Sequence, residues 1–219
     1  MSAESRDAAL FAFNNSAQVT LAHIGRRRIA VVRVDDVLHD PDGVAALGFT
    51  QSYAQDRSNL YPGVRAPMPE SFSTALRAWL TPILQGSGVL EGSRAICGDV
   101  SFFSVVTTAS TELLPIQRIP HYDSTDPNLF AAVIYLCDTR FSGTSFYQHR
   151  KTGYEAITEE NCKNYKLALD NEMRLHGAPP HEYINGSNAL FEVIFANELK
   201  FNSAIVYPCG ILQIGRAHV

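Results

Sequence analysis

The chain has 219 residues, 46% of them hydrophobic and 18% charged, which suits one domain with a buried core of its own. A formal net charge of -4 and a pI near 6.0 argue against a polyanion-binding surface, so no nucleic-acid partner is expected. No apolar run approaches the ~20 residues of a membrane-spanning helix, and the polar start Met1–Asp7 lacks the layout of a secretory signal. With four scattered cysteines and no C-x-x-C pair, a cytoplasmic protein with no membrane partner is expected.

Residues 1–17 read as a weakly ordered lead-in. Gln18–Ile24 and Arg28–Val34 are apolar and β-branched around a Gly-Arg turn, the pattern of a hairpin. Asp40-Pro41-Asp42 opens a helix through Val44 to about Tyr53, with an acidic cap and Pro in the first turn. Asn59–Pro69, with Pro62, Gly63, Pro67 and Pro69, reads as a loop. In Glu70–Gln85, residues Phe72, Leu76, Trp79, Leu80 and Leu84 fall at helical spacing, with Pro82 as a candidate kink. Ala95–Thr107, Glu112–Ile119, Leu129–Cys137, Thr144–His149, Ala189–Ala196 and Asn202–Tyr207 are short and rich in Val, Ile, Phe and Tyr, and are predicted strands. One helix, Glu159–Leu175, interrupts them. Helices followed by many short strands predict an α+β chain with a β-sandwich or jelly-roll core. No linker divides residues 18–212, which form a single predicted domain.

The segment that carries chemistry is Ile119-Pro120-His121-Tyr122-Asp123. Two residues apart on a strand, His121 and Asp123 point to one face. An imidazole and a carboxylate on one face supply two of the three members of the two-His, one-carboxylate triad that holds iron(II) and leaves positions open. Alone, H-x-D is common, and a histidine hydrogen-bonded to a turn aspartate is the plain alternative.

The residues that follow add to it. Phe130–Cys137 is an apolar "YL" strand, and Phe141-Ser142-Gly143-Thr144-Ser145-Phe146-Tyr147 turns into the next. This order resembles the prolyl-4-hydroxylase-like branch of the iron(II)/2-oxoglutarate oxygenases. The strings G-T-S-F-Y-Q-H-R-K-T-G, F-N-x-x-I-V-Y-P and Tyr61-Pro62-Gly63-Val64-Arg65-Ala66-Pro67 resemble a bacterial family assigned to that superfamily, over roughly Tyr61–Leu212. The resemblance implies a double-stranded β-helix (jelly-roll) core with the N-terminal helices packed on it. It also implies Fe(II) on His121 and Asp123, 2-oxoglutarate as co-substrate, and hydroxylation of a small-molecule or peptidyl substrate.

The same pattern requires a distal histidine late in the chain and a basic anchor for 2-oxoglutarate beyond it. Here Phe201–Leu212 runs into Gln213-Ile214-Gly215-Arg216-Ala217-His218-Val219. Ile-Gly-Arg-Ala-His-Val is the translation of a common sequencing adapter, ATC GGA AGA GCA CAC GTC. Residues 213–219 are therefore expected to be a non-native tail on a jelly roll incomplete at its C-terminus. Codon 213 then keeps only a first C, which leaves His open beside Leu, Pro, Arg and Gln. His218 lies too far along to serve as the third ligand. A chain with two ligands is expected to bind iron weakly and to be inactive.

Three further residues are candidate co-substrate contacts. Tyr135 and Tyr147 lie on strands near the H-x-D segment, where each hydroxyl can bond an oxo acid or simply sit satisfied in an aromatic core. Arg150 can pair with a carboxylate through its fork, or be a surface charge at a strand end. Asn202 can cap or face the site, and Arg65 sits in the Pro/Gly loop, with a solvated side chain as its plain reading. The leading functional expectation is an iron(II)/2-oxoglutarate oxygenase. The alternative is a non-catalytic, cupin-like jelly-roll binding module, and the third is a metal-dependent hydrolase or isomerase on the same barrel.

Overall fold

A computed structural model describes residues 9–55, 60–92, 95–97, 100–139 and 141–215. It is an α+β chain with nine named strands, all paired antiparallel, and three helices beyond the first described residues. The strands are β1 (Gln18–Ile24), β2 (Ile29–Asp35), β3 (Gly63–Pro67), β4 (Phe102–Val106), β5 (Phe130–Tyr135), β6 (Thr144–His149), β7 (Phe191–Ala196), β8 (Ser203–Pro208) and β9 (Gln213–Gly215). The helices are α1 (Pro41–Phe49), α2 (Glu70–Gly86) and α3 (Glu159–His176). No described helix is long and apolar enough to cross a membrane.

Three sheets form, with strand orders β1-β2-β8-β5, β7-β6-β9 and β3-β4. Alternation along the strands sorts the side chains into layers. Val32, Val34, Ala204 and Val206 face α1 and α2, where they pack with Val44, Phe72, Trp79, Leu80 and Leu84. Their neighbours Val31, Ile205 and Tyr207 point the other way and pack with Tyr135, Phe146 and Ile211, so the four-stranded sheet lies against the β6–β7 sheet. On the far side of that second sheet, Tyr147, Phe191 and Ile214 pack with Tyr165 and Leu169 of α3. The order of layers is helices, sheet, sheet, helix. The described strands do not close into a barrel.

The helix ends follow from local chemistry. Asp40 caps α1, accepting from the Gly43 amide at 2.9 Å, and Pro41 occupies the first turn. Thr158 and Asn161 form a reciprocal capping box at the start of α3. Helix α2 runs on through Pro82 to Gly86.

Several expectations are corrected. Glu112–Ile119 is not a strand but two short 3-10 turns, Ser110–Glu112 and Pro115–Arg118. Pro115 has no N–H to give a ladder, and the Arg118 side chain folds back to donate to the Leu113 carbonyl. Gly63–Pro67, expected as a loop, is β3. Its prolines stand at the ends, where a ladder tolerates them, and Val64–Ala66 pair with Phe103–Val105. The strand predicted over Ala95–Thr107 is confined to β4, and residues 98–99 lie outside the described set. In the lead-in, Phe11 and Phe13 are buried core residues stacked around Phe72 and Trp79. Asn202, at φ 58°, caps rather than faces a site. Its side-chain amide accepts from the Leu38 N–H at 2.8 Å and donates to the Leu38 carbonyl at 3.0 Å.

Candidate metal centre

The Pro115–Arg118 turn leads into buried Ile119 and then into the H-x-D segment. His121 is not within a named strand. It forms an isolated bridge to Gln213 of β9, with N–H···O bonds of 2.9 and 2.8 Å exchanged between the two backbones. The amides of Asp123 and Ser124 then donate to the Cys209 carbonyl at 2.8 and 3.2 Å. The segment is thus stitched along the turn that joins β8 to β9. Tyr122 points to the α3 side, where its hydroxyl lies 3.1 Å from Cys162 Sγ. His121 and Asp123 project away from it.

Their side chains meet. His121 Nε2 is 3.6 Å from Asp123 Oδ1, and the Gln213 amide nitrogen is 3.0 Å from His121 Nε2 and 3.3 Å from Asp123 Oδ2. Gln213 stands opposite Phe146 in the β6–β9 register, so its side chain shares the face that looks between the two sheets. Which amide atom points at His121 follows from the hydrogen-bond pattern alone.

The His121 side chain is 47% exposed, yet it is recessed among protein atoms. That partial loss of hydration lowers its pKa below the usual imidazole value. The Asp123 charge opposes the shift and the Arg65 charge adds to it. A neutral imidazole is the form that ligates a metal. Nearby, burial raises the Tyr207 hydroxyl well above the usual phenol range, and the Asp123 charge contributes.

The donor set fits a divalent ion in two of three positions. Donors at right angles, each about 2.1 Å from one ion, stand about 3 Å apart, and His121 Nε2 and Asp123 Oδ1 stand 3.6 Å apart. His121 and Asp123 supply an imidazole and a carboxylate. Gln213 supplies an amide, whose oxygen is a neutral and weaker ligand. Among the described residues no group of three or more His, Cys, Asp and Glu converges, because the third member here is Gln213.

Among the described residues, the side chains of the other candidates make no hydrogen bond or ion pair with His121 or Asp123, although Tyr135 packs in the cluster that holds Phe146 and Tyr207. The buried Tyr135 hydroxyl is 2.7 Å from Thr144 Oγ1 and accepts from Asn197 Nδ2 at 3.4 Å. Tyr147 is fully buried and belongs to the core beneath α3, opposite in facing to Phe146. Arg150 is a surface residue that pairs with Glu192 at 3.0 Å and donates to the Asn188 carbonyl. His218 falls outside the described residues. Arg65 has more to do with the site than its plain reading suggested. Its charge acts on His121 and it is stacked on Tyr61. The sequence signal for it was the alternation Val64-Arg65-Ala66 between two prolines, which marks a strand with one polar face.

No curated protein and no solved structure matches the chain. A family of unknown function (DUF6445) matches residues 15–218, and the chain belongs to that family.

Proposed function

We propose that this domain is built as a non-haem iron(II), 2-oxoglutarate-dependent oxygenase, with His121 and Asp123 as metal ligands and position 213 as the third. The observation that carries the reading is the convergence of His121, Asp123 and Gln213 side chains within 3.0–3.6 Å. An H-x-D segment and a late strand meet there, in the order that the resemblance requires. Two stacked antiparallel sheets with helices on the outside are compatible with a jelly-roll core, which is part of the proposal.

A ferrous ion bound there supplies oxygen activation, coupled to oxidative decarboxylation of 2-oxoglutarate and hydroxylation of a substrate C–H. The chain's own part is to hold and orient. The neutral His121 imidazole and the Asp123 carboxylate form one wall, and the paired backbones of His121 and Gln213 fix their spacing. Tyr207 and Phe146 line the apolar side, with ring centroids 5.0 Å apart, and limit water there. With an amide at position 213, this chain holds iron weakly and turns over little or not at all.

A second reading, a non-catalytic cupin-like binding module, draws on one observation. The Gln213 amide already satisfies both His121 and Asp123 without any metal. The two readings separate on the Gln213→His protein. Titrated anaerobically with iron(II) and 2-oxoglutarate, it is expected to develop a visible metal-to-ligand charge-transfer band that His121→Ala removes. No band and no iron binding would leave the binding module standing and sink the oxygenase.

A further inference from the structure

Among the described residues, Arg65 is a cation with no carboxylate in salt-bridge range. Its guanidinium carbon sits 4.2 Å from the centroid of the Tyr61 ring and 5.6 Å from that of Phe102. Its Nε is buried and has no hydrogen-bond partner among the described residues. Two aromatic faces offset part of the cost of desolvating a guanidinium, but they leave Nε without a hydrogen-bond partner among the described residues. Buried donors of a charged group are normally satisfied, and an exception calls for a ligand or a role.

The position of Arg65 says what that ligand would meet. Strand β3 pairs with β4, and Arg65 also exchanges backbone hydrogen bonds of 2.9 and 3.0 Å with Ala54, so among the described residues this ribbon is a wall separate from both stacked sheets. It is tied to the metal-ligand segment through Gln117 Nε2, which donates to the Leu60 carbonyl at 3.0 Å, just before Tyr61 and four residues before His121. A group held by Arg65 would therefore lie between the ribbon and the His121 wall. A planar fork of N–H donors matches a carboxylate.

We propose that Arg65, bracketed by Tyr61 and Phe102, recognises the carboxylate of a small organic-acid substrate and presents that substrate to the His121–Asp123 wall. The proposal deepens the oxygenase reading by naming a substrate class, and rests on it only for what is then done to the substrate. The anion could otherwise be the co-substrate, so the test has an arm for each.

N-acetylglycine is the probe, N-acetylglycinamide its neutral counterpart, and the readout is the Arg65 Nε–H resonance of the ¹⁵N-labelled chain. N-acetylglycine is expected to shift that resonance saturably and the neutral amide is not. Arg65→Gln should weaken binding, followed by calorimetry, by roughly 10-fold or more. Arg65→Lys, which keeps the charge and loses the fork, should weaken it as well. The response should persist with 2-oxoglutarate at saturation. No saturable shift, equal binding of the amide, or unchanged affinity in both variants overturns the proposal. Full competition by 2-oxoglutarate also overturns it, since Arg65 would then serve the co-substrate. Cobalt(II) binding by Gln213→His is read separately from its visible spectrum. Its failure counts against the metal centre and leaves the Arg65 response intact, whereas a silent Arg65 beside bound cobalt counts against this proposal alone.

Discussion

Gln213 and His121 are joined twice, by paired backbone hydrogen bonds of 2.9 and 2.8 Å and by a 3.0 Å contact between the side-chain amide and the imidazole Nε2. The backbone pairing is independent of the residue at 213, so a substitution there exchanges a ligand without rebuilding the wall. Gln213→His is expected to raise cobalt(II) affinity by about 10- to 100-fold, an imidazole replacing a neutral amide in the same place. Calorimetry of the two proteins, with Asp123→Ala in the Gln213→His background as the control, checks this. Equal affinities would mean that position 213 is not a ligand position.

Glu155 is the sharpest structural test outside the site. Its carboxylate is 1% exposed and accepts from the backbone N–H groups of Arg26 and Arg27 at 2.7 and 3.0 Å, which pins the β1–β2 turn to the segment before α3. The close approach needs Gly25 at φ 67°, because a Cβ there would lie 2.5 Å from Glu155 Oε2. Glu155→Ala removes the acceptor of two charge-assisted bonds and is expected to cost about 2–3 kcal/mol. Urea unfolding measures it. A loss under about 0.5 kcal/mol, the scale of an ordinary surface substitution, would show that the clamp is not formed.

Much of the frame was legible from periodicity. The β6 bounds follow from a short run carrying Phe and Tyr, α2 follows from the Phe72–Leu84 stripe, and the helix expected over Glu159–Leu175 is α3 to within a residue. The misreadings fall where tertiary context outweighs local pattern. Glu112–Ile119 has strand-like composition, yet Pro115 and the inward-folding Arg118 make turns of it. Gly63–Pro67 has loop-like composition, yet Val64–Ala66 find a partner strand about forty residues away. The H-x-D pair was legible because its spacing is local. The setting of Arg65 was not, because it depends on β4 and Tyr61 folding around it.

Gly63 tests the ribbon. A Cβ there would lie 2.1 Å from the Val105 carbonyl oxygen and 2.8 Å from Val106 Cα, both backbone atoms that cannot move aside without parting β3 from β4. Gly63→Ala is expected to destabilise by about 1–3 kcal/mol and to weaken whatever Arg65 binds, since Arg65 sits two residues along the same strand. Thermal unfolding reads the first effect and N-acetylglycine titration the second. Wild-type values for both would mean that the Gly63↔Val106 register is wrong.

A pH dependence follows from His149. Its ring is fully buried, 2.9 Å from Glu172 Oε2 on one side and 2.9 Å from Thr152 Oγ1 on the other, and packs against Tyr165 and Phe191. Burial lowers its pKa, more than the Glu172 carboxylate raises it, and Lys151 lowers it further. The folded chain therefore favours the neutral ring, while the unfolded chain titrates near the usual imidazole value of about 6.5. Between those two values the unfolded state binds more protons, so stability rises with pH. The contribution is complete above about 6.5 and drains away as pH falls toward the folded value. His149→Gln keeps a polar side chain in the pocket but cannot titrate. Its unfolding free energy, measured by urea at pH 7.5, 6.5 and 5.5, should fall less steeply toward acid than that of the parent. Parallel slopes would show that His149 is protonated alike in both states, and a steeper fall in the variant would reverse the sign assigned to it.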